Sequence, residues 1–135
     1  MSNRNGEYGR KITVESNAKK GVWLRVHGEL YNNAFVRVGH TAKNVMLAIL
    51  ECMDDDMNTI QIGGDTLKKL KKITRYSEQT IRDNLRVLHP MLEKTGQIRG
   101  EYIVNPTFAV KGSEELVWMN YTRINKNKQL ENTNE

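Results

Sequence analysis

The sequence is short of cysteine, of proline and of long apolar runs, and each shortage closes off a class of function. One cysteine, Cys52, allows no internal disulfide, and no Cys/His spacing suited to zinc accompanies it. On an apolar helix face it reads as a small buried hydrophobe. No apolar stretch is long enough to cross a bilayer, and the N-terminus carries no hydrophobic segment of the signal-peptide kind, so the expected location is cytoplasmic. No phosphate-cradling GxxxxGK[ST] loop is present, because Gly63-Gly64 lacks the rest of it. No Ser/His/Asp set can be argued, and no internal repeat occurs. The run Asp54-Asp55-Asp56 invites a metal reading, but adjacent carboxylates do not converge on one ion without further ligands spaced as in a calcium loop. A solvated turn is the expectation there, and no cofactor is expected.

What is present is positive charge, unevenly placed. The 135 residues suit one domain with a proper core, carry a formal charge of +5 and have a pI near 9.4. Residues 1–20 hold five basic and two acidic side chains, residues 21–63 three and five, residues 64–95 eight and four, and residues 96–135 five of each. The excess therefore sits on an N-terminal arm and on one central stretch, where an electrostatic footprint for phosphates would lie. A lysine-rich helix kept soluble is the plainer alternative.

That central stretch, residues 63–92, is written as helix, turn, helix. Leu67, Leu70 and Ile73 recur at three-residue steps and share one face, with Asp65 placed to cap the start. Thr74, Arg75 and Tyr76 break the pattern. Ser77 caps a second helix, Glu78 stands in its first turn, and Ile81, Leu85, Leu88 and Leu92 form one apolar stripe. Gln79, Arg82, Asp83 and Arg86 occupy the opposite face. This is the form of a helix-turn-helix whose second helix offers its early turns to the major groove, although a polar outer face also suits any solvated helix.

The flanks supply the context. Residues 1–20 are expected to be a loose basic arm with Ile12 and Val14 as a brief alternating patch. Residues 21–38 look extended, Val22, Leu24 and Val26 alternating before an Asn32-Asn33 turn and a Phe35, Val36, Val38 cluster. Thr41 is expected to cap a largely buried helix lined by Val45, Ala48, Ile49 and Cys52. Asn58 to Ile62 reads as a short strand, TIQI. Pro90 should loosen the end of the second helix and Thr95-Gly96 close it. Gln97 to Arg99 and Tyr102 to Val104 then read as a hairpin ended by Asn105-Pro106, and Glu114 to Ile124 as a last helix. The order helix, strand, helix, turn, helix, hairpin is that of a winged helix, with the hairpin as wing. The expected class is α+β: an arm over 1–20, a winged-helix domain with a C-terminal helix over 21–124, and a disordered tail over 125–135. The last helix is expected to pack back on the first one or to pair two copies as a homodimer.

The segment YIVNPTFAVKGS, Tyr102 to Ser113, resembles the end of the winged-helix domain in small plasmid replication proteins of the RepL type. Asn105, Pro106, Phe108, Lys111 and Gly112 carry the likeness, and Ser77 to Leu88 is similar to that family's recognition helix. The likeness covers roughly residues 35–113. Gly63-Gly64 departs from the polar residue more usual before the first of the two helices, and residues 114–135 match nothing in the family. The resemblance implies binding to a plasmid origin, or to a promoter on a mobile element, and recruitment of host replication factors. It does not imply a nicking enzyme: His27, His40 and His89 include no His-x-His pair, and Tyr76 and Tyr102 sit in a turn and a wing. A non-enzyme is expected.

Ser77, Gln79, Thr80, Arg82 and Arg86 are the expected groove-facing residues, with Arg82 suited to guanine and Gln79 to adenine. Lys69, Lys72, Arg75 and Arg99 are expected at phosphates. Tyr76 is expected to pack against the turn. Three readings stand: an origin-binding replication protein, a winged-helix repressor of copy-control or transfer genes with the same DNA chemistry, and a winged helix used only to bind another protein.

Overall fold

The computed structural model describes the backbone of two strands, β1 (Ile12–Glu15) and β2 (Trp23–Val26), and then residues 38–133, with side chains to residue 130. The Asn32-Asn33 turn and the Phe35-Val36 cluster lie outside the described residues. The protein is α+β. Four helices, α1 (His40–Cys52), α2 (Gly64–Thr74), α3 (Glu78–Leu85) and α4 (Glu114–Thr133), accompany strands β3 (Thr59–Gln61), β4 (Leu92–Lys94), β5 (Glu101–Val104) and β6 (Ala109–Lys111). The strands form two antiparallel sheets, ordered β1-β2-β6 and β3-β5-β4.

The first helix is the centre of the core because its sequence is apolar on most sides. Ala42, Val45, Met46, Ala48, Ile49 and Leu50 are all buried. Leu67 and Leu70 of α2 and Ile81 and Leu85 of α3 close on it. Each such leucine or isoleucine contributes about 1.5–3 kcal/mol relative to exposure. Tyr76, in the turn between α2 and α3, packs against this core as expected, and its hydroxyl accepts a hydrogen bond from Asn44 at 2.9 Å.

Several expectations are corrected. Gly39, not Thr41, is the residue before α1, and Gly63, not Asp65, precedes α2; neither start has a side-chain cap. Asp65 instead stands in the first turn, where a carboxylate suits the helix dipole. Gly64 takes φ 51°, a conformation that favours glycine. Thr74 belongs to α2, and Ile73 is 44% exposed because the helix turns its buried face through Leu67 and Leu70.

The larger correction concerns the end of α3. The helix stops at Leu85, a single 3₁₀ turn covers Arg86–Leu88, and Leu92 begins a strand. The residue before a proline is pushed to extended backbone, and His89 has ψ 137°. The hairpin therefore pairs Leu92–Lys94 with Tyr102–Val104, and residues 95–100 are its loop. Thr95-Gly96 closes no helix, and Ile98 in the expected first hairpin strand is exposed in the loop.

At the ends, Ile12–Glu15 is a strand within the expected arm, because β2 offers it an antiparallel edge in the register Ile12 to Val26. At the other end α4 runs past Ile124 to Thr133, where disorder was expected. The helix packs back, as anticipated, but against β6, the hairpin and the loop after α1. No helix of the described residues is long and apolar enough to cross a membrane.

Candidate nucleic-acid interface

The outer face of α3 starts from Ser77. Its Oγ accepts from the Thr80 amide at 3.2 Å and donates to Thr80 Oγ1 at 3.0 Å, so Ser77 and Thr80 fix the helix start together. Buried Ile81 and Leu85 hold the inner side down, which leaves Gln79, Arg82, Asp83 and Arg86 exposed in one row. Two pairings run along that row. Arg82 Nε lies 2.9 Å from Glu78 Oε2, and Gln79 Nε2 donates to Asp83 Oδ1 at 2.8 Å. Exposed pairs four residues apart are worth only ~0.3–0.5 kcal/mol. A bidentate arginine–guanine contact discriminates by roughly 1–3 kcal/mol, so these pairings orient the side chains without locking them.

An open groove of about 380 Å³ separates this helix from the hairpin. Arg82 and Arg86 line one wall, His89 follows, and Lys94 and Tyr102 line the hairpin wall over apolar Leu85 and Leu92. The groove's one carboxylate, Glu93, is already engaged: it accepts from the Tyr121 hydroxyl at 3.1 Å and has Lys128 Nζ at 3.8 Å. The wall therefore presents positive charge and donors, a surface for phosphate oxygens and base edges.

The structure thus brings Arg82 and Arg86 into one groove and places Gln79 on the adjoining surface. Lys69 and Lys72 are exposed on α2 and do not line the groove. Arg75 sits in the turn with φ 64°, an uncommon conformation for a non-glycine residue, its amide donating to Lys71 O at 2.7 Å. Arg99 is exposed in the hairpin loop, where its carbonyl accepts from Gln61 Nε2 at 3.2 Å. Sequence reasoning missed His89 and Lys94 because it carried the helix through Leu92. Pro90 was the signal, since Leu92 and Lys94 alternate as a strand once the helix is ended there.

The residues that carry the family likeness do something else. Asn105 is buried, its amide donating to Met91 O and its Oδ1 accepting from the Thr107 amide, so Asn-Pro is a fixed turn beneath the surface. Lys111 is 7% exposed and donates to Glu51 O at 2.7 Å and Met53 O at 2.9 Å, satisfying carbonyls at the end of α1. Burial lowers its pKa below the usual lysine range, and the nearby Cys52, Asp55, Glu51 and Asp54 act against that fall. Buried Asn58, at φ 61°, donates to Val104 O and Ala109 O and accepts from the Lys111 amide, tying the two sheets together. Asp56 Oδ1 accepts from the Ser113 amide, and a Cβ on Gly112 would lie 2.7 Å from the Asp56 backbone nitrogen. The triple-aspartate loop is therefore not simply a solvated turn: its last member is a structural acceptor.

Cys52 is half-buried; burial, then the Glu51 carboxylate, push its thiol above the ordinary value, which keeps it protonated at neutral pH. Among the described residues, no group of three or more His, Cys, Asp or Glu side chains is placed to hold a metal ion. Comparison of the chain with protein-family models, with curated proteins and with solved structures found no match to any of them.

Proposed function

We propose that this protein is a sequence-specific double-stranded DNA-binding protein of the winged helix-turn-helix kind, with α3 as recognition helix and the β4–β5 hairpin as wing. One observation carries the reading: Arg82, Arg86, His89 and Lys94 line a single open groove between an exposed helix face and a hairpin, and the one carboxylate there is held by other side chains. In that role Arg82 and Gln79 meet base edges, while Arg86, Lys94 and Arg99 meet phosphates. Lys69, Lys72 and Arg75 are further phosphate candidates on the flanking helix and turn. Binding to a plasmid origin is the role that the RepL-type resemblance implies. A repressor's promoter site would use the same interface, and it stands as the second reading because Asn105, Lys111 and Gly112 serve the scaffold, so the likeness speaks to fold.

The test is binding to duplex from the protein's own replicon against unrelated duplex over a range of salt. The expected outcome is preference for the own duplex and affinity that falls steeply with salt. Footprinting then separates iterated origin repeats from a promoter palindrome. Equal binding to both duplexes, or none at moderate salt, would overturn the proposal and turn attention to a protein partner.

A further inference from the structure

Residues 96–135 carry equal numbers of basic and acidic side chains, but the signs are unevenly placed along them. Glu114 and Glu115 open α4, and Arg123, Lys126 and Lys128 follow with no acidic residue between them. Side chains fix this basic stretch beside the hairpin. The Tyr121 hydroxyl donates to Glu93 and accepts from Asn105 Nδ2 at 3.1 Å, and Arg123 donates to Asn120 Oδ1 at 2.6 Å and reaches Gln97 Oε1 in the hairpin loop at 3.4 Å. Lys128 lies close enough to the loop that a Cβ on Gly96 would sit 4.0 Å from its side chain.

The hairpin's two carboxylates are both hydrogen-bonded within the protein. Glu93 is held by Tyr121 and Lys128, and Glu101 accepts from the Thr95 hydroxyl at 2.8 Å. Arg99 on the loop and Arg123 and Lys126 on the adjoining helix stay exposed. A three-residue step puts Arg123 and Lys126 on neighbouring sides of α4. Arg123 meets the hairpin loop at Gln97, the loop carries Arg99, and Lys94 of the groove wall immediately precedes it.

We propose that Arg123 and Lys126, with Arg99, form a second phosphate-contacting surface, which holds the backbone of a duplex beyond the base pairs that α3 reads. The proposal rests on the DNA-binding reading above; its partner is the same duplex, because the two surfaces share the hairpin. It has no role in choosing sequence, since phosphate contacts position a protein without specifying bases.

The experiment uses the full chain, the Arg123→Gln/Lys126→Gln double variant and Lys126→Gln alone, titrated against the own and an unrelated duplex at several salt concentrations. The expected result is a slope of log affinity against log salt that is shallower by roughly 0.9 for each cation removed. The preference for the own duplex should not change. Lys126→Gln removes an exposed charge, so its result does not depend on the packing around Arg123. A wild-type slope in both variants overturns this proposal alone, provided that Arg82→Ala still weakens binding. Failure of the wild-type chain to bind either duplex overturns both proposals.

Discussion

Two polar regions of this molecule look alike as strings of letters and differ in what they do. The α3 face holds its polar side chains in exposed pairs, Glu78 with Arg82 and Gln79 with Asp83, each cheap to exchange for another partner. The junction behind it buries Asn58, Asn105 and Lys111, each with its hydrogen bonds made inside the protein. Among the described residues no buried side-chain polar atom lacks a partner. A polar group that keeps cheap partners can be given to a ligand, whereas one that satisfies a buried carbonyl cannot. The difference makes the second region scaffold and supports the proposal that the first is where DNA is met.

The largest effect should come from Asn58→Ala. It leaves Val104 O, Ala109 O and the Lys111 amide without their partner, and each orphaned buried group costs roughly 1–3 kcal/mol. A loss on the order of 3 kcal/mol or more is expected in urea unfolding, and Gly112→Ala should fall in the same class because of its contact with the Asp56 backbone. Lys111→Met comes next, costing about 1–3 kcal/mol for each uncapped α1 carbonyl. It also has a pH signature. Because the folded-state pKa of Lys111 is lowered, the unfolded chain binds more protons between that value and the ordinary lysine value. Its contribution to stability therefore rises with pH through that window, and the variant should lose that rise.

On the other side of the comparison, Arg82→Ala should move stability by less than ~0.5 kcal/mol and weaken own-duplex binding by roughly 1–3 kcal/mol, relaxing preference at one base pair. The smallest effect separates the two properties within one residue. Arg75→Gly removes a side chain from a left-handed backbone position, so stability should rise by about 1 kcal/mol while the salt slope of binding becomes shallower by roughly 0.9. Thermal melting and duplex titration on the same sample check it.

The α2–turn–α3 unit was legible in the sequence because several local signals agreed: the Ser77 cap, the leucine periodicity and the break before it. Leu92 was misleading since a step of four continues a helical stripe and, with Lys94, also begins a strand; only the proline two residues earlier decides between them. Ile73 failed for a related reason, a three-residue step that drifts off the buried face by the end of a helix. Lys111 and Asn58 could not be read as scaffold, because their partners are backbone carbonyls and amides 46 to 60 residues away in the chain. The basic stretch of α4 was hidden by averaging charge over residues 96–135, in which Glu114, Glu115 and Glu131 stand on either side of it.

On the proposed reading α3 and the hairpin meet DNA, while the buried junction of Asn58, Asn105 and Lys111 does not. It is tested most directly by amide chemical-shift mapping of the full chain on titration with the own duplex. The largest changes are expected at Gln79 to Arg86, at Lys94 and through the loop to Gly100, with Asn58 and Asn105 to Gly112 left nearly unmoved. Changes concentrated at Asn58 and Lys111, with the α3 face silent, would contradict it.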